Sequence, residues 1–354
     1  MALGGGYFKT TYDGDLALVD TRLRRVTLAA LVAALLLLPR LASPFVLDLV
    51  TQVALAAVGA LALNILTGFA GQVSLGHAGF IAAGAFTTAV LVEHRLPSPL
   101  LAARRRPGRR RAGRGRRDSG AQAQGALPGP RHAGAAPRRA LRVRGVSESL
   151  GREHRGVDSP PRLGTWVLKG TTAWYYALTA VAALVLILSV NLQRSRAGRA
   201  WMAIRDREIA AESVGIDVAR YKVLAFVWSS GLTAVAGALF AYHRAFVSVE
   251  AFGFFLAIEY IAMIIIGGLG SSLGAVLGAA FVTLLPYGID AAVAGLRAPG
   301  GAEYYLFPAK FGAFGLLMAV FLVFEPQGLV GIWRRIRNWF SLWPLRYRPL
   351  RPAS

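Results

Sequence analysis

The residues able to do chemistry are few and scattered. The chain has no cysteine, which excludes disulfides and thiolate metal sites, and its five histidines show no spacing that suggests a metal site. No carboxylate pair, catalytic triad or metal cluster appears, so no catalytic residue, metal ligand or cofactor is expected, and the chain reads as a non-enzyme. What remains is polar residues set in apolar text. His77, Glu259 and Asp290 lie within or beside long apolar segments, where an ionisable group lines a path or makes an interhelical bond. Leu63–Ala85 reads LNILTGFAGQVSLGHAGFIAAGA, with Gly68, Gly71, Gly76, Gly79 and Gly84 interrupting a stretch that also carries Asn64, Gln72, Ser74 and His77. Each Gly weakens a helix by about 1 kcal/mol relative to Ala. The pattern predicts either a helix broken at membrane depth, as transporters place beside their pathway, or a tight small-residue interface between helices. Gly71, Gln72, Ser74, Gly76 and His77 are therefore candidate pathway or broken-helix residues. Glu259 and the Gly267, Gly268, Gly270 run join them.

A second stretch, Gly198–Tyr221, reads GRAWMAIRDREIAAESVGIDVARY. It predicts one short amphipathic helix with Trp201, Ile204 and Ile209 on its apolar face. Arg205, Asp206, Arg207, Glu208 and Glu212 form the polar face, and Gly215 serves as its stop. A helix lying on the membrane surface would look similar. The acids interleaved with Arg fit docking to a protein groove better than docking to anionic lipid.

The elements that must position these residues are membrane helices. Of 354 residues, 55% are hydrophobic and only 16% charged, and the mean hydropathy is +0.48, which points to a polytopic membrane protein. Asp13, Asp15 and Asp20 precede the first apolar run and no small-residue cleavage site follows Leu38, so no cleavable signal is expected. Candidate spans are 26–39 with its flanks, 45–66, 79–92, 174–190, 223–242, 254–266, 273–285 and 311–324, an all-α bundle of about eight hydrophobic segments. Arg22, Arg24 and Arg25, then Arg194, Arg196, Arg199, Arg205 and Arg207, then Arg334, Arg335 and Arg337 form three short basic clusters. All three should be cytoplasmic. The chain then divides into a cytoplasmic segment at 1–25, spans at 26–101 and an aberrant segment at 102–166. Spans at 167–335, with a cytoplasmic loop at 194–221, and a cytoplasmic tail at 336–354 complete it.

The segment 102–166 holds 17 arginines and only four acids, Asp118, Glu148, Glu153 and Asp158, so it carries about +13 of the net +22. Span counting places it on the non-cytoplasmic face, the wrong side for arginine. Its Gly/Pro/Arg composition predicts disorder. Arg-rich tracts bind phosphates by charge, but no aromatic residue precedes Trp166 to stack on bases, so no nucleic-acid partner is expected.

Outside that segment the text resembles the LivM-type membrane subunit of branched-chain amino acid ABC importers. The matching stretches are NILTGFAGQVSLGHAGF, GRAWMAIRDREIAAESVGID with ARYKVLAF, AGALFAY, Phe246–Ser248 and MIIIGGLGSSLGAVLGAAFV. The resemblance covers roughly residues 25–100 and 173–335. It implies a multi-pass subunit of the bacterial inner membrane that works with a second, homologous permease, two ATPase subunits and a periplasmic binding protein, surrounded by membrane lipid. It implies alternating access driven by ATP hydrolysis on the partner subunits, with Leu, Ile or Val as substrate. Related permeases serve urea or short amides. The resemblance also makes 198–215 the ATPase-coupling loop, with Glu208, Ala210, Ala211 and Gly215 on its Glu-Ala-Ala…Gly pattern. Arg199, Arg205 and Glu212 lie beside them.

The family continues after 79–92 with two more hydrophobic helices, which would make about ten. Read one nucleotide later from the codon of Ala121, this chain's text is compatible with LRLRGLYLALATL, similar to what the family carries there. Glu153 to Gly156 shift to codons compatible with Asn-Thr-Gly-Gly. A frameshift from about 102 to about 166 is the expectation. Restoring two helices keeps every other span's orientation and removes the misplaced arginines.

Overall fold

The computed structural model describes residues 22–93, 154–156, 162–163, 166–167 and 170–295. Between 312 and 342 it describes all but 313, 314, 317, 318, 322 and 326. Ten helices are assigned there: α1 (Arg22–Leu41), α2 (Pro44–Leu63), α3 (His77–Glu93), α4 (Thr171–Arg194), α5 (Arg196–Asp206), α6 (Glu208–Ser213), α7 (Val218–Arg244), α8 (Phe254–Gly267), α9 (Ser272–Gly295) and α10 (Gly328–Leu342). A π-helical turn at Asn64–Phe69 prolongs α2.

Among the described residues, five helical stretches are long and apolar enough to cross a membrane: Pro44–Phe69, Thr171–Arg194, Val218–Arg244, Glu250–Gly267 and Ser272–Ala291. They coincide with the expected spans at 45–66, 174–190, 223–242, 254–266 and 273–285. The span expected at 79–92 falls in α3, an apolar helix of 17 residues, and that at 26–39 falls in α1. Several residues of the one expected at 311–324 lie outside the described residues. The chain is a polytopic helical membrane protein.

Local chemistry sets the helix starts. Ser43, Ser195 and Asp217 stand just before α2, α5 and α7, and each side-chain oxygen accepts a first-turn amide, from Val46, Gly198 and Arg220 respectively. Helix α2 is the central post. From Ala54 to Leu63 every residue is buried, because α4, α7, α8 and α9 pack around it. Small residues let backbones meet. A Cβ on Gly84 would overlap the Ala234 carbonyl and one on Gly237 the Ile81 carbonyl, where α3 crosses α7. One on Gly278 would overlap the Met263 carbonyl, between α9 and α8. The Ser229 hydroxyl of α7 donates to the Ala62 carbonyl of α2 at 2.7 Å.

Disorder was the expectation for the whole of 102–166, and part of it is otherwise. Strand β1 (His154–Gly156) pairs antiparallel with β4 (Phe246–Ser248), and β2 (Arg162–Leu163) pairs with β3 (Trp166–Val167). Ala245 ends α7 in the left-handed conformation, φ 57°, and turns the chain into the extended FVS strand. An edge strand binds another segment through backbone N–H and C=O groups, so the Gly/Arg composition that argues against a core does not forbid it. Residues 102–153 lie outside the described residues.

Candidate functional site

The stretch 198–221 is two helices rather than the single one expected. Arg207 takes an extended conformation, φ −157° and ψ 103°, and separates α5 from α6. The break changes which side chains face the bundle. Trp201 and Ile204 are buried as expected, with Trp201 fully enclosed and its indole N–H donating to the Tyr221 carbonyl at 2.7 Å. Ile209 is not on that face: it is 84% exposed, and Val214 is 76% exposed. In α6 only Ala211 is buried. Ala210 and Glu212 are exposed, and Glu208 pairs with Lys222 at 2.6 Å. Gly215 adopts φ +88°, which frees the Ile216 amide to bond the Ala211 carbonyl and closes α6. Arg199 reaches back to the Arg194 carbonyl at 2.7 Å. The α5–α6 segment is thus rooted by Trp201, Ile204 and Ala211 and presents an apolar knob of Ile209 and Val214.

Arg205, the last basic residue of α5, ties this segment to the Gly-rich regions. Its Nη1 donates to the Gly68 carbonyl at 2.7 Å, across 137 residues of sequence. Its Nε and Nη2 donate to the neighbouring Asp206 carboxylate at 3.2 and 3.1 Å. Its aliphatic stem lies on Gly71, where a Cβ would come within 2.9 Å of the Arg205 Cγ. Gly270 closes the group: its amide donates to Asn64 Oδ1 at 3.0 Å and its carbonyl accepts Gln193 Nε2 at 3.4 Å. A Cβ on Gly270 would stand 2.7 Å from Arg205 Nη1 and displace that group, and the φ of +74° there favours Gly. The start of α10 reaches the same turn, since a Cβ on Gly328 would crowd the Ile266 carbonyl and the Gly268 amide. One junction therefore joins the end of α2, the α8–α9 turn, the ends of α4 and α5, and the start of α10. Asn64 Nδ2, buried in it, has no hydrogen-bond partner among the described residues.

The structure brings Gly71, Arg205, Gly268 and Gly270 into or beside this junction, with Gly267 packed against Gly274 just behind it. It leaves His77 elsewhere. That side chain is 1% exposed, at the first turn of α3, with Nδ1 3.3 Å from Thr233 Oγ1 and its ring edge-on to Tyr260 at 5.1 Å. The Thr233 hydroxyl also bonds the Ser229 carbonyl at 2.7 Å. The ring also meets the Gly59 backbone of α2, so His77 is held apart from the junction. Between the two lie Gln72, Ser74 and Gly76, in a non-helical stretch. Gln72 bonds through its backbone alone, from its amide to Leu66 and from Thr67 to its carbonyl. Glu259 is half-buried on α8 and Asp290 exposed on α9, both away from the junction. Asn64, Gly68 and Gln193 belong to the site without having been singled out as site residues. The signal was faint: an Asn inside an apolar run, and a Gln just after one.

Residues 143–322 match the family described as the permease component of the branched-chain amino acid transport system. The chain belongs to that family. The matched stretch holds α4 to α9, with Arg205 and Gly267–Gly270, and it begins inside the Arg-rich segment. The permease is similar to the high-affinity branched-chain amino acid transport system permease proteins LivM of Salmonella typhimurium and Escherichia coli. Each is 33% identical over 161 residues, which is 44% of this chain and 35% of theirs. It is also similar to the autoinducer 2 import system permease protein LsrC of an Enterobacter species, 38% identical over 110 residues, 29% of this chain and 32% of that one. The permease thus spans about a third of the length of the curated relatives it matches. No solved structure matches it.

Proposed function

We propose that the chain is a permease subunit of an ABC importer for branched-chain amino acids, in the inner membrane of a bacterium. The observation that carries this reading is the α5–α6 segment, which exposes Ile209 and Val214 while Trp201, Ile204 and Arg205 root it in the bundle. Apolar tips on a rooted, charged segment suit a groove on a protein partner. That partner is an ATPase subunit, present in two copies. A second, homologous permease and a periplasmic binding protein complete the importer. Movement of the α5–α6 segment on ATP hydrolysis would pass through Arg205 into the α2 end and the α8–α9 turn, and so open or close the bundle. The two similarities of 33% to LivM proteins favour leucine, isoleucine and valine; the 38% similarity to LsrC favours a second reading, autoinducer 2 import, on the same architecture.

The test is coexpression with the partner subunits encoded alongside, followed by uptake of labelled leucine, valine and autoinducer 2. Leucine and valine uptake that disappears with Ile209→Asp, together with loss of ATPase copurification, supports the first reading. Uptake of autoinducer 2 alone supports the second. Copurification unchanged by Ile209→Asp refutes the assignment of the docking knob. We propose that residues from about 102 to about 166 are the product of a shifted reading frame, with the family match resuming from residue 143.

A further inference from the structure

The chain between Gly71 and His77 climbs through membrane depth without being helical. Its lower end is fixed by Gly71, which lies on Arg205 of α5, and by Phe69, which packs with Trp201 at the level of Tyr221 near the start of α7. Its upper end is fixed by His77 against Thr233, twelve residues further along α7, or about 18 Å of helix rise. Helix α3 runs in the same direction as α7, since Phe86 packs against Phe252, beyond the far end of α7. The stretch therefore lies inside the span of α7, not outside the membrane. Six residues of extended chain cover that distance at about 3.3 Å each.

Along this climb the backbone is bare. The Gln72 amide bonds Leu66, and the Gly76 carbonyl accepts the Gly79 and Phe80 amides. Between them, the amides of Val73, Ser74, Leu75 and Gly76 and the carbonyls of Val73 and Leu75 have no hydrogen-bond partner among the described residues, while the Ser74 carbonyl opens the turn at 75–76. Most of them are uncovered: Val73 is 73% exposed and Leu75 55% exposed, nothing lies within 4 Å of a Cβ built on Gly76, and Ser74 is half-buried. Hydrocarbon offers such groups no partner, so lipid is excluded as the neighbour of this face; water, or donors and acceptors of another chain, can satisfy them.

We propose that Val73–Gly76 lines a water-filled path into the bundle, open to the same end as the α5–α6 segment. Six unpaired backbone groups within four residues favour water over a protein partner. A partner chain would need an extended strand at the same depth, carrying its own unpaired groups, whereas water satisfies donors and acceptors in any arrangement. The path rests on the reading of this chain as a transport subunit but not on which solute it carries. It ends at His77, where the chain turns into α3 and the bundle closes: His77, Thr233 and Tyr260 are all buried.

The chain has no cysteine, so single cysteines introduced in the membrane-embedded complex report their own surroundings. Val73→Cys and Leu75→Cys are compared with Leu184→Cys and Ile187→Cys. Those two positions lie on α4, 63% and 61% exposed, where the backbone is fully helical. A membrane-impermeant cationic thiol reagent, which reacts with thiolate and so requires water, is applied to each. Labelling at 73 and 75 at least ten times faster than at 184 and 187 is the expected result. Equal, slow rates at all four positions would overturn the proposal. So would fast labelling at 73 and 75 in the lone chain that becomes slow in the assembled complex, because a partner would then cover the stretch. Labelling does not require transport, so failure of leucine uptake with fast labelling at 73 and 75 rejects the substrate and leaves the path standing.

Discussion

Replacing Arg205 by Ala should loosen the junction without dismantling it. The side chain makes one bond across the junction, from Nη1 to the Gly68 carbonyl at 2.7 Å. A hydrogen bond with a charged donor contributes about 1.5–3 kcal/mol. Here the lower end applies, because the side chain is 37% exposed and water competes for the carbonyl. The ion pair with Asp206, its neighbour in sequence and 68% exposed, adds about 0–1 kcal/mol and does not span the junction. A loss of about 1.5 kcal/mol raises the ratio of open to closed junction roughly tenfold. Gly270 remains held by Asn64 and Gln193, so the bundle itself should persist. Spin labels on cysteines introduced at Ile209, 84% exposed on α6, and Leu273, 62% exposed on α9, read the separation directly in the otherwise cysteine-free chain. Electron–electron resonance should show one narrow distance with Arg205 present and a second, longer population with Arg205→Ala. Arg205→Lys keeps a charged donor and should fall between. A distance distribution unchanged by Arg205→Ala would refute the idea that this arginine ties α5 to the broken helix.

Two further predictions concern the bundle and the gene. Gly278→Val should lower the thermal midpoint of the detergent-solubilised chain, since its Cβ would overlap the Met263 backbone carbonyl and overpacking costs about 1–3 kcal/mol, whereas Gly288→Ala, with nothing within 4 Å, should leave the midpoint equal or raised. Resequencing the locus should reveal a single-base change on each side of the Arg-rich segment; an intact frame there, with the matching peptides found by mass spectrometry, would reject the frameshift.

The spans were legible because runs of Leu, Ala, Val and Ile long enough to cross a bilayer leave few alternatives, and the helices at Pro44–Phe69 and Thr171–Arg194 follow them closely. The burial of Trp201 and Ile204 was legible for the same reason, as apolar spacing on a charged segment. The break at Arg207 was not. DREIAAES consists of adequate helix formers, and no Gly or Pro marks the point where tertiary packing splits it and turns Ile209 outward. For the Gly-rich stretch, sequence alone weighed a broken helix and a close interface equally. The structure contains both, divided at His77: Gly84 serves the close crossing with α7, while Gly71 and Gly76 lie in the non-helical climb. The partner of Arg205 left no trace in the text, because a backbone carbonyl is present at every residue and nothing distinguishes that of Gly68.

The lone amide hydrogen donors of Asn64 bear on how easily the junction can be driven. A fully satisfied knot of hydrogen bonds would behave as a weld, stable in one arrangement and resistant to any push. Here Asn64 contributes its oxygen to Gly270 and leaves Nδ2 without a partner in a buried place, a penalty of about 1–3 kcal/mol. That is the same size as the gain from the Arg205 bond. An arrangement that gave Nδ2 an acceptor would therefore recover part of what the loss of the Arg205 contact costs, while the closed junction stays the favoured one. Under the proposed function, such a hinge would yield to a modest bias from a partner docked on the α5–α6 segment.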